Sequence, residues 1–186
     1  KDEFQQNFST ECKMIGPGSD IAKKVLSHDP LGVALAILLI EWMSQRHYIE
    51  SIKDNNEIDA QFKSLLKNHW LEEAQHAKID TLMVEELASN LSPAEIEKGV
   101  DEFLAIGAFL DAGTQQQVLF DLEAFQTATG RILNEAEREE FVAKQTQANR
   151  WTYLGTGLTH PKFLETLGKL DANQWRRIEE AAPAFC

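Results

Sequence analysis

Apolar positions recur along most of the chain at the three- and four-residue intervals of an α-helix. No segment alternates with the two-residue period of a strand. The first long helix is predicted from Pro30 to about Ile52, because a proline that follows Asp29 favours the first helical position. The second is predicted from about Ile58 to Ala88. The pattern therefore predicts an all-α fold, and no fixed-period internal repeat is present.

The second half of the chain continues in helical segments. The sequence Ser92-Pro93-Ala94-Glu95 is typical of a capping box at a helix start. The predicted helices run from this box to about Ala112, from Thr114 to Thr127 and from Asn134 to about Leu154. Gly113 is predicted to kink or end the helix that begins at the capping box. The stretch from Gly155 to Pro161 is predicted to form a turn. Two short helices follow it, and Asp171 begins the last of them.

These segments predict a single helical domain over residues 1–186. Residues 1–28 form a loosely ordered lead-in that contains a turn near Gly16 and a short helix ending near Ser27. Residues 30–158 form the core of a helical bundle, and residues 159–186 add short C-terminal helices. The chain has 186 residues, of which 43% are hydrophobic, so it is long enough and apolar enough to bury a substantial core.

The net charge of the chain and the length of its apolar runs disfavour some classes of binding partner. The 30 acidic and 18 basic residues give a net charge of −12, which disfavours binding to nucleic acid or to anionic membrane surfaces. The longest apolar run, Leu31 to Ile40, is too short to span a bilayer. The only cysteines are Cys12 and Cys186, and so few thiols favour a reduced, cytoplasmic protein.

Four polar residues interrupt the apolar face of the second predicted helix. They are His69, Glu73, His76 and Asp80, and their spacings of four, three and four keep them on one helix face. Phe62 and Leu65 precede them on that face. Because an unpaired buried charge is costly, these side chains must be satisfied by a bound metal or by a network of hydrogen bonds.

Glu41 is the candidate partner from the first predicted helix, where it lies within the inward stripe. The turn between the two helices centres near Asn55, with Glu41 14 residues before it and His69 14 residues after it. At a rise of about 1.5 Å per residue, antiparallel helices place Glu41 level with the turn of helix that contains His69 and Glu73.

These residues resemble the ferritin-like di-iron carboxylate superfamily. That family has a glutamate on its first helix and a Glu-x-x-His pair on its second, and repeats this pattern on its third and fourth. Glu41, Glu73 and His76 match the first half of the pattern, and the resemblance covers residues 30–158. It implies a ferritin-like four-helix bundle with additional short helices. It also implies a site for one or two iron ions, with manganese as the alternative metal.

The second half of the family pattern is incomplete. Asp121 is the best-placed carboxylate for the third helix, with Asp111 and Glu123 behind it. No histidine lies between Asn134 and Thr159, where the fourth helix should supply Glu-x-x-His. Glu140 is an inward candidate there, and Arg150 stands near the expected level of the missing pair.

Three alternatives follow from this gap. One metal is bound, a second ion uses an irregular set that includes His69 or Asp80, or Arg150 replaces the metal by a salt bridge to Glu41 or Glu73. The predicted ligand set is Glu41, Glu73, His76, His69 and Asp121.

The resemblance implies a non-haem iron oxidoreductase or oxygenase that acts on a small molecule. Two alternatives are a metal-free bundle that serves in binding or assembly and a ferroxidase or iron-storage protein. A homo-dimer is the expected assembly. Hydrolase and nucleotide-binding functions have little support, because phosphate-binding glycine loops and nucleophile motifs are lacking.

Overall fold

The computed structural model describes residues 12–185, which form helices joined by short turns and contain no strand. The prediction of an all-α fold is therefore confirmed for this part of the chain. Residues 1–11 of the predicted lead-in and Cys186 lie outside the described residues. The α-helices are α1 (Gly18–Leu26), α2 (Pro30–His47), α3 (Ala60–Ser89), α4 (Pro93–Thr129), α5 (Glu135–Arg150), α6 (Thr156–Leu158), α7 (Pro161–Leu170) and α8 (Ala172–Ala181). Two π-helical turns, Tyr48–Ile52 and Trp151–Gly155, extend α2 and α5, and a 3₁₀ turn, Ala182–Phe185, follows α8.

Side-chain caps fix the starts of the long helices where the sequence predicted them. The Asp29 carboxylate accepts a hydrogen bond from the backbone N–H of Leu31 at 3.0 Å, directly before Pro30. Ser92 and Glu95 form the predicted capping box at the start of α4. Asn134 caps α5 through the backbone N–H of Glu137. Each cap satisfies amides that lack partners in the first helical turn.

The structure corrects two predicted breaks, both at glycines. α4 runs for 37 residues through Gly113, so the helix predicted to end near Ala112 and the helix predicted from Thr114 to Thr127 are one continuous helix. A single helical glycine costs only about 1 kcal/mol, which packing on both sides can offset. Gly155 and Gly157 are helical and buried rather than part of a turn. A Cβ on Gly157 would lie 2.6 Å from the carbonyl oxygen of Leu39, so this glycine permits close approach of two helices.

The hydrophobic core lies around α2, which packs against both α3 and α4. α6 and α7 also contact α2, and α5 packs along α4. The C-terminal helices therefore belong to the core rather than being appended to it. Fully buried side chains include Leu31, Leu35, Leu38, Val84, Val100, Ile106, Phe163, Leu167 and Ile178.

Candidate metal centre

The packing of α2 against α3 brings Glu41, Glu73 and His76 together. One ligand atom from each side chain lies within 4.8 Å of the other two, and this is the only such group among residues 12–185. Further along the same two helices, Tyr48 in the π-helical turn that extends α2 stacks on Trp70 of α3, with ring centroids 5.0 Å apart. Because positions rise on α2 as they fall on α3, the helices are antiparallel, and the expected level of Glu41 and Glu73 is confirmed.

The carboxyl groups of Glu41 and Glu73 are hydrogen-bonded to each other. Burial, followed by the hydrogen bond and negative charge of Glu73, raises the pKa of Glu41 to about 7. Burial acts in the same direction on Glu73, but hydrogen bonds from Glu41 and His76 outweigh it and lower the pKa of Glu73. Below about pH 7, Glu41 therefore holds a proton beside the Glu73 carboxylate.

Two histidines flank Glu73 on its own helix. His76 Nδ1 lies 2.8 Å from Glu73 Oε2, and His69 Nε2 lies 2.8 Å from Glu73 Oε1. The hydrogen bond to Glu73 raises the pKa of His76. Glu73 is 14% exposed whereas His69 is 56% exposed, so the centre is shielded at its carboxylates and open to solvent at its imidazoles.

The donor set of Glu41, Glu73 and His76 fits a divalent transition metal. Two oxygens and one imidazole nitrogen suit iron and manganese, and three protein ligands leave positions open for water or a reactant. Atoms that bind one ion at about 2.1 Å are separated by about 3.0 Å when adjacent and about 4.2 Å when opposite. A divalent ion would displace the proton that Glu41 holds below about pH 7.

Of the predicted ligands, Asp121 lies elsewhere. Its carboxylate accepts hydrogen bonds from Gln117 at 2.9 Å and from Gln145 at 3.5 Å, which places it between α4 and α5. His69 contacts the centre through Glu73 rather than joining the three converging ligands. The structure thus gathers Glu41, Glu73 and His76 from the predicted set, places His69 beside them and keeps Asp121 apart.

Arg150 lies away from Glu41, Glu73 and His76 and pairs with another residue. Its guanidinium binds the buried Asp111 carboxylate with two hydrogen bonds of 2.7 Å each, so the predicted salt bridge to Glu41 or Glu73 is wrong. Gln115 donates a third hydrogen bond to Asp111. Arginine's planar fork matches a carboxylate, which explains this choice of partner. Glu140 is exposed and pairs with Lys144, so its predicted inward position is also wrong.

Asp80 is half-buried and has no hydrogen bond or ion pair with any residue of the described chain. Three other acidic residues on α3 have ion-pair partners: Glu85 lies 2.8 Å from Lys169 Nζ, and Glu72 and Glu73 contact His76. The sequence placed Asp80 on the same face as His76, but it gave no sign that its carboxylate would lack a partner. It contributes to the raised pKa of Glu41 through its negative charge.

Comparison with protein-family models finds no match for this chain. Comparisons with curated proteins and with solved structures likewise find no match. Within the described part of the chain, none of the helices combines the length and the apolar character required to cross a membrane.

Proposed function

We propose that this protein is a non-haem iron oxidoreductase that acts on a small molecule and holds a single iron ion at Glu41, Glu73 and His76. One observation carries the proposal: two carboxyl groups and an imidazole converge within 4.8 Å on two packed helices. Groups of like charge that gather in a partly shielded site are costly unless a proton or a cation stabilises them. Such perturbed clusters are more frequent at functional sites than elsewhere.

A ferritin-like arrangement is the architecture that we propose for this site. α2 carries the single glutamate, and α3 carries the Glu-x-x-His pair that the superfamily has on its second helix. α4 and α5 would complete the bundle. Between them lies the Asp111–Arg150 ion pair, and Arg150 stands near the level at which the family pattern expects its second Glu-x-x-His pair. A single ion on the α2–α3 side is therefore favoured over a pair of ions.

Iron(II) with open coordination positions would supply the chemistry of O₂ activation. In this assignment Glu73 and His76 hold the ion from one helix, and Glu41 closes the site from the other. His69 stabilises the Glu73 carboxylate through its ion-pair contact of 2.8 Å. The exposed imidazole side leaves a path by which a small molecule can approach.

Metal analysis tests the proposal. Protein purified after growth with added iron should contain iron or manganese, and Glu73→Ala and His76→Ala should each abolish binding. Glu86→Ala is the matched control, because Glu86 is an exposed acid of the same helix that does not belong to the centre. Wild-type protein that remains metal-free, or equal metal content in all four proteins, overturns the proposal.

The metal-free alternative has one specific observation in its favour. The hydrogen bonds of Glu73 with Glu41 and His76, together with its ion-pair contact with His69, already stabilise the polar cluster without an ion. Metal analysis separates it from the enzyme. Measurement of O₂ consumption distinguishes a ferroxidase or storage protein from the proposed oxygenase. A storage protein consumes O₂ with iron alone, whereas an oxygenase needs an organic substrate as well.

A further inference from the structure

We propose that an apolar groove beside the metal centre binds the aliphatic chain of a primary alkylamine, whose ammonium group pairs with Asp80. This inference rests on the proposed function, because it names the class of small molecule that would be presented to the metal. The groove has a volume of about 340 Å³, at the lower end of the range of small-molecule sites. Its lining residues are Leu26, His28, Pro30, Val33, Ala34, Ile37, Asp80, Met83 and Leu87.

The groove begins about one helical turn from the metal centre on both helices. Ile37 lies one helical turn before Glu41 on α2, and Asp80 lies one turn after His76 on α3. Met83 and Leu87 continue away from the centre on α3. Seven residues of helix separate Asp80 from Leu87, so the groove is roughly 10 Å long. Asp80 therefore stands at the end of the groove that is nearest to the metal.

The lining is apolar except at two points. Ile37, Met83 and Leu87 are between 40% and 52% exposed, which leaves hydrocarbon surface for a ligand's chain to cover. His28 is one polar point: its Nδ1 contacts the Glu102 carboxylate, whereas its buried Nε2 has no hydrogen-bond partner among the described residues. Asp80 is the other, and its carboxylate is unpaired among residues 12–185.

Charge determines which head group fits. A half-buried carboxylate without a partner is stabilised when a cation binds beside it. A ligand carboxylate would instead meet the like charges of Asp80 and Glu73. The net charge of −12 further favours the approach of a cation. An aliphatic ammonium ion satisfies both the apolar walls and the charged end of the groove.

The test is calorimetric titration of octylamine into the wild-type protein loaded with Mn²⁺, with octanoate as the probe of opposite charge. Octylamine should bind, and octanoate should bind at least about tenfold more weakly. Asp80→Asn should weaken octylamine binding by about tenfold or more and leave the metal content unchanged. Glu86→Gln is the matched control: it removes one negative charge from α3 outside the groove and should leave binding unchanged.

The outcomes separate this inference from the proposed function. Equal binding of octylamine and octanoate, or equal affinity of wild type and Asp80→Asn, overturns the inference while metal binding stands. Asp80-dependent binding of octylamine to a wild-type protein that takes up no metal supports the groove and defeats the metal assignment. Failure of octylamine to bind, together with a dimer that Ile37→Lys dissociates, overturns the inference in favour of a second copy of the chain on this surface.

Discussion

Metal affinity should depend steeply on pH, because the ion must displace the proton that Glu41 holds beside Glu73. With the pKa of Glu41 near 7, about ten of eleven molecules hold this proton at pH 6 and about one of eleven at pH 8. The apparent affinity should therefore be about tenfold lower at pH 6 than at pH 8 from this proton alone. The raised pKa of His76 adds to the decrease, since its imidazole must also be neutral to bind.

A Mn²⁺ titration followed by the electron paramagnetic resonance signal of the free ion measures this dependence. The titration is carried out at pH 6, 7 and 8 on the wild type and on Glu41→Gln. The variant should bind more weakly at pH 8 and should show a shallower pH dependence, because it lacks the proton on Glu41. Equal wild-type affinity at pH 6 and pH 8, or a variant with the full pH dependence, would refute the reasoning.

The metal-free protein should respond to pH in the opposite direction. The pKa of Glu41 is raised from its ordinary value of 4.5 to about 7, so the folded state holds this proton more tightly than the unfolded chain does. The contribution of Glu41 to the free energy of unfolding is thus full below pH 4.5 and is lost as the pH rises to about 7. Bound metal should remove this loss, because it takes the place of the proton.

Two further predictions concern the scaffold. Asp111→Ala should lower the free energy of unfolding by about 2–3 kcal/mol in urea denaturation, because it leaves the Arg150 guanidinium without its partner; a loss below about 0.5 kcal/mol would contradict this. Gly32→Ala should lower the free energy of unfolding by about 1–3 kcal/mol, because the new Cβ would lie 2.9 Å from Glu102 Cβ. Gly107→Ala should raise it by about 0.5–1 kcal/mol, because a Cβ there would have nothing within 4 Å. Equal effects of the two glycine substitutions would show that close packing at Gly32 does not decide the outcome.

The centre could be predicted from the sequence because its geometry is local. Glu73 and His76 share a helix face by spacing alone, and Glu41 follows from the length of two helices joined by a short turn. The pairing of Asp111 with Arg150 could not be found in the same way. These residues are 39 positions apart, and their contact depends on how α4 and α5 are rotated, which the weakly patterned α5 does not specify.

The glycines show a second limit of sequence reasoning. Glycine at a helix end and glycine at a point of close helix packing look the same in the sequence. Gly113 and Gly157 were interpreted as breaks, but Gly157 lies against the backbone of Leu39, and Gly113 is continuous with its helix. Only the positions of neighbouring helices separate the two roles.

The half-exposed imidazole of His76 would influence which metal fills the proposed centre. An open site exchanges its ion with the surrounding solution, so its occupancy follows the metals that the solution offers. Intrinsic affinities for nitrogen and oxygen donors rise from manganese through iron to copper, and zinc also competes well. The ion recovered after purification would therefore report the culture medium as much as the preference of the protein, and growth at controlled metal ratios would distinguish the two.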